Sequence, residues 1–278
     1  MQHNYDYDIA VLLPTRGRTV ALTRSVMSLI NRVSDITKIH LLLGFDDDDT
    51  VGLEHWEKEL EPLLIDRNVN YTAVSFEPIG YIRLNEYVTE LAKLTNSAWL
   101  MFWNDDAVME SQNWDKEIML RQGQFKCLAV HTHREHPYSI FPIVPREWLD
   151  LFGYMSPHQM SDAWISQVSY MVDIWERIDV WVEHDRYDLT GNNYDDTFLN
   201  RPQLENRPGD PEDFHSDKWH RRRVEDADKL SEFLKSKGVD QSWWESVKAN
   251  KQNPWEKLEA NDINRQMTQS TKAYVTQS

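Results

Sequence analysis

The sequence predicts an α/β fold: a central, mostly parallel sheet flanked by helices, followed by a helical C-terminal extension. Three observations carry this. Short, continuous apolar runs alternate with segments of helical period through the first half of the chain. Those runs are apolar at consecutive positions, as in strands buried on both faces. The order strand, helix, strand repeats without interruption, which implies parallel strands joined by crossover helices.

Ile9–Leu13 is the first predicted strand. Pro14-Thr15-Arg16-Gly17-Arg18 is a loop, and Thr19 can cap the helix that follows, whose inward stripe is Val20, Leu22, Val26, Leu29, Ile30 and Val33. Ile39–Phe45 is the second strand, and Leu53–Leu64 a helix with an acidic outer face. Tyr71–Phe76 is the third strand. Gly80 opens a helix with Tyr81, Leu84, Val88, Leu91 and Leu94 on one side, and Ala98–Trp103 is the fourth strand. The second half is less regular. Cys127–Thr132 and Phe141–Val144 read as strands, Ser161–Ile178 as a long helix with Trp164, Ile165, Val168, Met171, Val172 and Trp175 inward, and Val180–Val182 as a short strand before Glu183-His184-Asp185. Val224–Lys237 has helical period, with Trp243, Trp244 and Trp255 pinning the C-terminal part to the body. The polar end from Asn261 has too few apolar residues to order itself. The chain therefore divides into a main domain over 1–200, an extension over 201–260 packed on it, and a flexible tail over 261–278.

Composition narrows the function classes. In 278 residues, 30 Lys and Arg face 46 Asp and Glu, a net charge of −16. Such a surface disfavours broad binding to nucleic acid or anionic membrane. Lys218-Trp219-His220-Arg221-Arg222-Arg223 is the one dense basic stretch and reads as a solvated helix start. Cys127, the single cysteine, sits in an apolar run and reads as a core thiol. It permits no intrachain disulfide, which fits a reducing, cytoplasmic setting. The N-terminus lacks the basic start and apolar core of a signal peptide. No apolar stretch approaches the roughly 20 residues of a membrane span, so a soluble protein is expected.

Two strands end in acids, and these are the most telling features. Asp46-Asp47-Asp48-Asp49 follows the second strand and Asn104-Asp105-Asp106 the fourth. The C-terminal edge of such a sheet is where these folds bind ligands. Paired acids there can hold a hard divalent cation, and the cation a diphosphate. A strand end followed by a solvated acidic turn is the plainer reading of either run alone. His131-Thr132-His133 with Glu135 and His136 lacks a second matching pair of ligands and reads as a strand-to-loop transition, not a zinc site. The chain has no glycine-rich phosphate loop.

Val11-Leu12-Leu13-Pro14-Thr15-Arg16-Gly17-Arg18 resembles the opening strand and loop of family-2-like nucleotide-sugar glycosyltransferases, some of them phage enzymes, whose fold is the Rossmann-like GT-A fold. Further segments fall in that family's order: Asp46-Asp47-Asp48; Gly80 and Asn85; Asn104-Asp105-Asp106 at the place of the aspartate-x-aspartate motif; Phe141–Arg146, Gly153-Tyr154 and Ser161–Trp164 on the acceptor side; and His184 at the place of a late metal-binding histidine. The resemblance covers roughly residues 9–200.

It implies a metal-dependent, inverting transfer of a sugar from a nucleotide-sugar donor, with a UDP-sugar expected, to an acceptor hydroxyl. Asp106 and His184 are the implied ligands of Mn²⁺ or Mg²⁺, and mixed oxygen and imidazole ligation suits Mn²⁺. Asn104 departs from the motif, since a neutral amide stands where the family has an acid. Pro14, Thr15, Arg16, Asp46, Asp48, Gly80, Asn85, Asn104 and Asp105 are the implied donor-binding residues. Arg16 or Arg18 can also meet the diphosphate, with a solvated loop the plainer reading for Arg18. Asp162 is the implied general base; the competing role is a helix N-cap. Trp103, Trp164 and Tyr154 can stack on a sugar face, although with 12 tryptophans most must be core. The acceptor is open: a glycan, a small molecule or modified DNA. A nucleotidyltransferase is the rival enzyme, but it calls for a glycine-rich triphosphate loop, and Pro14–Arg18 holds one glycine. A degenerate nucleotide- or sugar-binding module is the non-enzymatic rival, sustained by Asn104.

Overall fold

The structure is a computed structural model, and it describes residues 4–133, 139–186, 190–192 and 212–250. An eight-stranded sheet runs in the order β3-β2-β1-β4-β7-β6-β8-β5. Its strands are β1 (Tyr7–Thr15), β2 (Ile39–Asp46), β3 (Asn70–Phe76), β4 (Ser97–Phe102), β5 (Ala107–Met109), β6 (Cys127–Thr132), β7 (Ile143–Pro145) and β8 (Trp175–His184). The half made of β3, β2, β1 and β4 is parallel throughout. The other half is mixed, because β7 is antiparallel to both β4 and β6, while β6 and β8 are parallel.

Alternation along β1 sets up two apolar layers. Ile9, Val11 and Leu13 face one layer, with Leu22, Val26 and Leu29 of α1 (Thr19–Ile30) and Trp114 and Ile118 of α5 (Trp114–Met119). Ala10 and Leu12 face the other, with Val88 and Leu91 of α4 (Leu84–Lys93), Trp148 and Phe152 of α6 (Arg146–Phe152) and Trp164 and Val168 of α7 (Ser161–Met171). The same layer takes Leu230 and Leu234 of α8 (Asp217–Ser236) and Trp244 of α9 (Ser242–Ala249), so the extension shares the main core. Trp255 and the tail from Asn261 lie outside the described residues.

Several expectations are corrected. The helix expected over Ser161–Ile178 ends at Met171, where Asp173 turns the chain with φ +58°. From Trp175 the chain belongs to β8, ten residues long. Ile178, Val180 and Val182 are buried there while Asp179 and Trp181 are exposed, a period of two that overrides the helical spacing. The helix expected over Leu53–Leu64 runs as α2 (Thr50–His55), a π-helical stretch (Trp56–Leu60) and α3 (Glu61–Asp66). Pro62 at the start of α3 has no N–H to give the preceding turn, and its ring displaces that turn's carbonyl. Val20 and Leu94, placed on inward stripes, are 82% and 47% exposed. The basic stretch is not a solvated helix start throughout: Arg223 is buried and donates to Phe214 O at 2.8 Å, and Lys218 and Arg222 pair with Glu212 and Glu225. Cys127 is a buried thiol, pushed up to about 12 by desolvation. No described helix is long and apolar enough to cross a membrane.

Candidate functional site

The site is built on the turn that ends β4. Trp103 N–H donates to Leu12 O at 3.0 Å, which carries the chain past the last β4 residue in register with β1. The carbonyl of Asn104 then accepts from Ser25 Oγ at 3.0 Å and from Ala107 N–H at 3.2 Å, closing a tight turn with Asp105 and Asp106 at its tip. Past the turn, β5 pairs antiparallel with β8, and Ala107 lies opposite His184. Asp185 N–H also donates to Asp106 O at 2.8 Å. His184, distant in sequence, is thereby fixed beside the acids.

Asp105 and Asp106 are each 6% exposed, and His184 is 7% exposed. His184 Nε2 lies 3.3 Å from Asp106 Oδ1, within ion-pair range but poorly aligned for a hydrogen bond. Asp106 Oδ1 and His184 Nδ1 have no hydrogen-bond partner among the described residues. Thr15 Oγ1 donates to Asp105 Oδ2 at 2.8 Å. Arg18 Nη1 bridges the pair, at 3.0 Å from Asp105 Oδ1 and 3.1 Å from Asp106 Oδ2. Burial pushes the Asp105 carboxyl up to about 6, against the pull of Arg18. Burial would raise Asp106 as well, but His184 and Arg18 outweigh it and hold Asp106 below the ordinary carboxylate range.

A second arginine serves the end of β2. Arg16 Nη1 donates to Asp46 Oδ2 at 2.7 Å, and Arg16 Nη2 to Asp48 Oδ2 at 3.1 Å. The Tyr87 hydroxyl donates to the other Asp46 oxygen. Asp49 accepts from Gly52 N–H at 3.0 Å at the start of α2 and from Gly17 N–H at 2.7 Å. Gly17, at φ +69°, reverses the first loop so that Arg16 and Arg18 reach different acid clusters.

The remaining sequence-predicted residues are distributed along the same edge. Pro14 lies opposite Gly44 in the β1–β2 register. Gly80, at φ +74°, opens the 3₁₀ turn before α4, and Asn85 Nδ2 donates to Ser156 O at 3.1 Å. Asn85 and Tyr87 line a cleft of about 380 Å³ with Phe76, Arg83, Tyr154 and Ser156. That cleft shares Tyr87 with Asp46 but does not include the acid pair. The chemistry-bearing groups are at the turn, so the cleft is a neighbour of the site and not its centre. Asp162 stands in the first turn of α7, after the capping residue Met160, so it is not the N-cap. Its Oδ1 accepts from Ala163 N–H at 2.8 Å. Burial raises its carboxyl; the Ala163 N–H and nearby His184 oppose this.

Two aromatic expectations are corrected. Trp103 and Trp164 are fully buried, and neither can lie against a sugar. Tyr154 directs its hydroxyl to Asp226 at 2.7 Å, and Trp164 Nε1 donates to the same carboxylate at 3.1 Å. Asp226 thus joins α8 to Tyr154 and to Trp164 of α7, while Tyr154 still lines the cleft. The weighing of the two loop arginines is also reversed: the Arg18 side chain is 15% exposed and that of Arg16 49%. Sequence reasoning missed Tyr87, Arg24 and Asp185. Asp185 accepts from Arg24 and from Asn192 Nδ2 at 2.8 Å, securing the end of β8 to α1. The Glu183-His184-Asp185 run was the available signal.

Whether the site suits a divalent cation follows from its donors. Among the described residues, no group of three or more His, Cys, Asp and Glu can hold a metal alone. Asp106 Oδ1 and His184 Nε2 nevertheless fit as two adjacent ligands, a carboxylate and an imidazole, with the carboxylate oxygen free of any hydrogen-bond donor among the described residues. A cation carried by a diphosphate needs only one or two protein ligands, because phosphate oxygens and water complete its shell.

No family model and no curated protein matches the chain. Solved structures do. A mannosyltransferase, PcManGT from Pyrobaculum calidifontis, in complex with GDP-Man and Mn²⁺, is similar at a TM-score of 0.56 and 11% identity, covering 97% of this chain and 87% of that one. Residues 1–349 of S. aureus TarS in complex with UDP align at a TM-score of 0.51 and 12% identity, over 83% of this chain and 92% of that one. The chain spans 36% of the length of the longer TarS chain. These likenesses show the fold: a Rossmann-like GT-A architecture with helices on both faces of a mixed sheet.

Proposed function

We propose that the protein is a metal-dependent, inverting glycosyltransferase that moves a sugar from a nucleotide-sugar donor to an acceptor hydroxyl. The observation that carries this is the unpartnered carboxylate oxygen of Asp106 beside His184, at the strand-end edge of a GT-A sheet. Bound there by Asp106 and His184, Mn²⁺ or Mg²⁺ supplies the positive charge that stabilises the departing nucleoside diphosphate. Proteins of this fold have been captured with UDP and with GDP-Man and Mn²⁺.

Other side chains take the remaining tasks. Asp46, Asp48 and the Thr15 loop would read base and ribose. Asp105 orients Thr15 and Arg18. Asn104 lends a neutral amide, and Gly80 and Asn85 frame the start of α4. Asp162 accepts the acceptor's proton, and its raised carboxyl pKa makes it a better base than an exposed aspartate. The acceptor read from the surface is a neutral glycan or small molecule. A net charge of −16 repels polyanions, and Lys218, Arg222 and Arg223 of the one basic stretch are already paired or buried.

A thermal-shift screen of UDP and GDP with and without Mn²⁺ tests the reading, because a ligand bound only by the native state raises its melting temperature. The expected result is a rise for one diphosphate with Mn²⁺ that exceeds the rise with either alone. No rise for any combination would contradict the proposal.

A further inference from the structure

We infer that Arg18 is a resident counter-ion for the β4-end acids, and that it competes with a divalent cation for Asp106 until a diphosphate arrives. This rests on the metal–diphosphate reading given above and adds to it an order of events. Arg18 Nη1 sits 3.1 Å from Asp106 Oδ2, while the other oxygen, Oδ1, faces His184 Nε2 at 3.3 Å. One carboxylate therefore presents its two oxygens to two different cation positions. The guanidinium holds the first, and at the second Oδ1 accepts no hydrogen bond from any described residue.

Charge decides what happens when both positions fill. The site is buried, so repulsion between a guanidinium and a dication sharing one carboxylate is weakly screened. The acids offer two negative charges when both are ionised, and Arg18 already offsets one of them. A dication alone therefore binds poorly. A diphosphate brings further negative charge, and its oxygens suit an arginine fork as well as a carboxylate does. Arg18 can then leave Asp106 for a phosphate oxygen while the cation takes both the carboxylate and the phosphates. Cation and diphosphate bind cooperatively, and the donor-free protein does not hold metal. The loop is built for such a residue. Gly17 N–H is fastened to Asp49 at 2.7 Å, so the backbone stays in place while the Arg18 side chain, 15% exposed, changes partner.

The test is a titration of the full chain with Mn²⁺, free of nucleotide, following unbound Mn²⁺ by electron paramagnetic resonance. Wild type should bind weakly. Arg18→Met should bind about tenfold or more tightly, since a weakly screened like charge is gone. Arg18→Lys should stay near wild type. Arg18→Met combined with Asp106→Asn should return to weak binding, which locates the gain at this carboxylate. Arg18→Met binding Mn²⁺ no better than wild type would overturn the inference. Should Arg18→Met fail to fold, wild type alone decides: adding pyrophosphate must raise Mn²⁺ affinity about tenfold or more, and an unchanged affinity rejects the competition. The two readings fail separately. A gain in Arg18→Met with no nucleotide diphosphate bound under any condition sinks the donor assignment and leaves the counter-ion. Mn²⁺-dependent UDP binding with no gain in Arg18→Met does the reverse.

Discussion

Two clusters on one sheet edge have the same composition and opposite physical character. At the end of β2, Arg16 holds Asp46 and Asp48; at the end of β4, Arg18 holds Asp105 and Asp106. Each is one guanidinium against two carboxylates, and the arginines are two residues apart. Arg16 and Asp48 have side chains 49% and 51% exposed, although Asp46 beside them is at 9%, whereas Arg18, Asp105 and Asp106 stand at 15%, 9% and 5%. Water screens the first cluster, and its pairing fixes loop geometry at small energetic gain. The second is desolvated, so each charge depends on its partners, and removing one leaves another exposed to the full cost of burial. Only the buried cluster also has an imidazole facing it and an unpartnered oxygen. Burial, not residue type, separates a solvent-screened cluster from a desolvated one.

The comparison breaks most sharply at Asp106. Asp106→Ala should lower sugar transfer by roughly four orders of magnitude, because leaving-group stabilisation of several kcal/mol is lost at about 1.4 kcal/mol per tenfold. Asp48→Ala at the exposed cluster should change it far less. Steady-state rates with a UDP-sugar donor, on variants shown to be folded by circular dichroism, make the check. Asp162→Asn comes next. Met160, not Asp162, is the capping residue of α7, so the amide should leave stability intact. Transfer should fall about two to four orders of magnitude with donor affinity unchanged. Retained transfer in Asp162→Asn rejects the general base.

Stability sharpens the contrast. In chelator, Arg18→Met should cost about 3 kcal/mol, the lower end for breaking a buried pair. Arg16→Met should cost at most about 1 kcal/mol. Urea denaturation of both variants decides, and equal losses would remove the distinction between the clusters.

The pH response has opposite signs at the two sites. In metal-free protein Asp105 has a folded-state value of about 6 against the ordinary 3.8. Its contribution to stability is present below about pH 4 and lost as pH rises through about 6. The loss is up to about 3 kcal/mol by linkage, reduced by coupling to Asp106. Asp105→Asn should flatten that decline. Asp48 is held below its ordinary value by the hydrogen bond from Arg16. Its contribution is present above that value and lost as pH falls. Asp48→Asn should alter only the acid limb of a urea-midpoint profile.

Legibility followed the same physical line. The parallel half of the sheet was readable because each strand is a continuous apolar run and each crossover helix has its own stripe. Ile39–Phe45 and Ala98–Trp103 are nearly the observed β2 and β4. The mixed half was legible in part: Cys127–Thr132 is the observed β6 and Phe141–Val144 overlaps β7, but β5 has three residues, too few for a period. β8 was hidden where the spacing of Trp164, Val168, Met171 and Trp175 ran on into it, across a reversal at Asp173 that sequence does not mark. Asp106 and His184 were visible as strand-end residues, and the structure brings them together. The opposed roles of Arg16 and Arg18 were invisible, since one glycine between them decides which acids each reaches. Trp103 and Trp164 looked like sugar platforms because residue type does not report burial.

Calorimetric titration of UDP and GDP into wild type and Asp106→Asn, each with Mn²⁺ and with chelator, tests the central claim most directly. The account predicts that at least one nucleotide binds wild type about tenfold or more tightly with Mn²⁺, and that Asp106→Asn removes this difference without abolishing the residual metal-free binding. Equal affinity of wild type in Mn²⁺ and in chelator would contradict it.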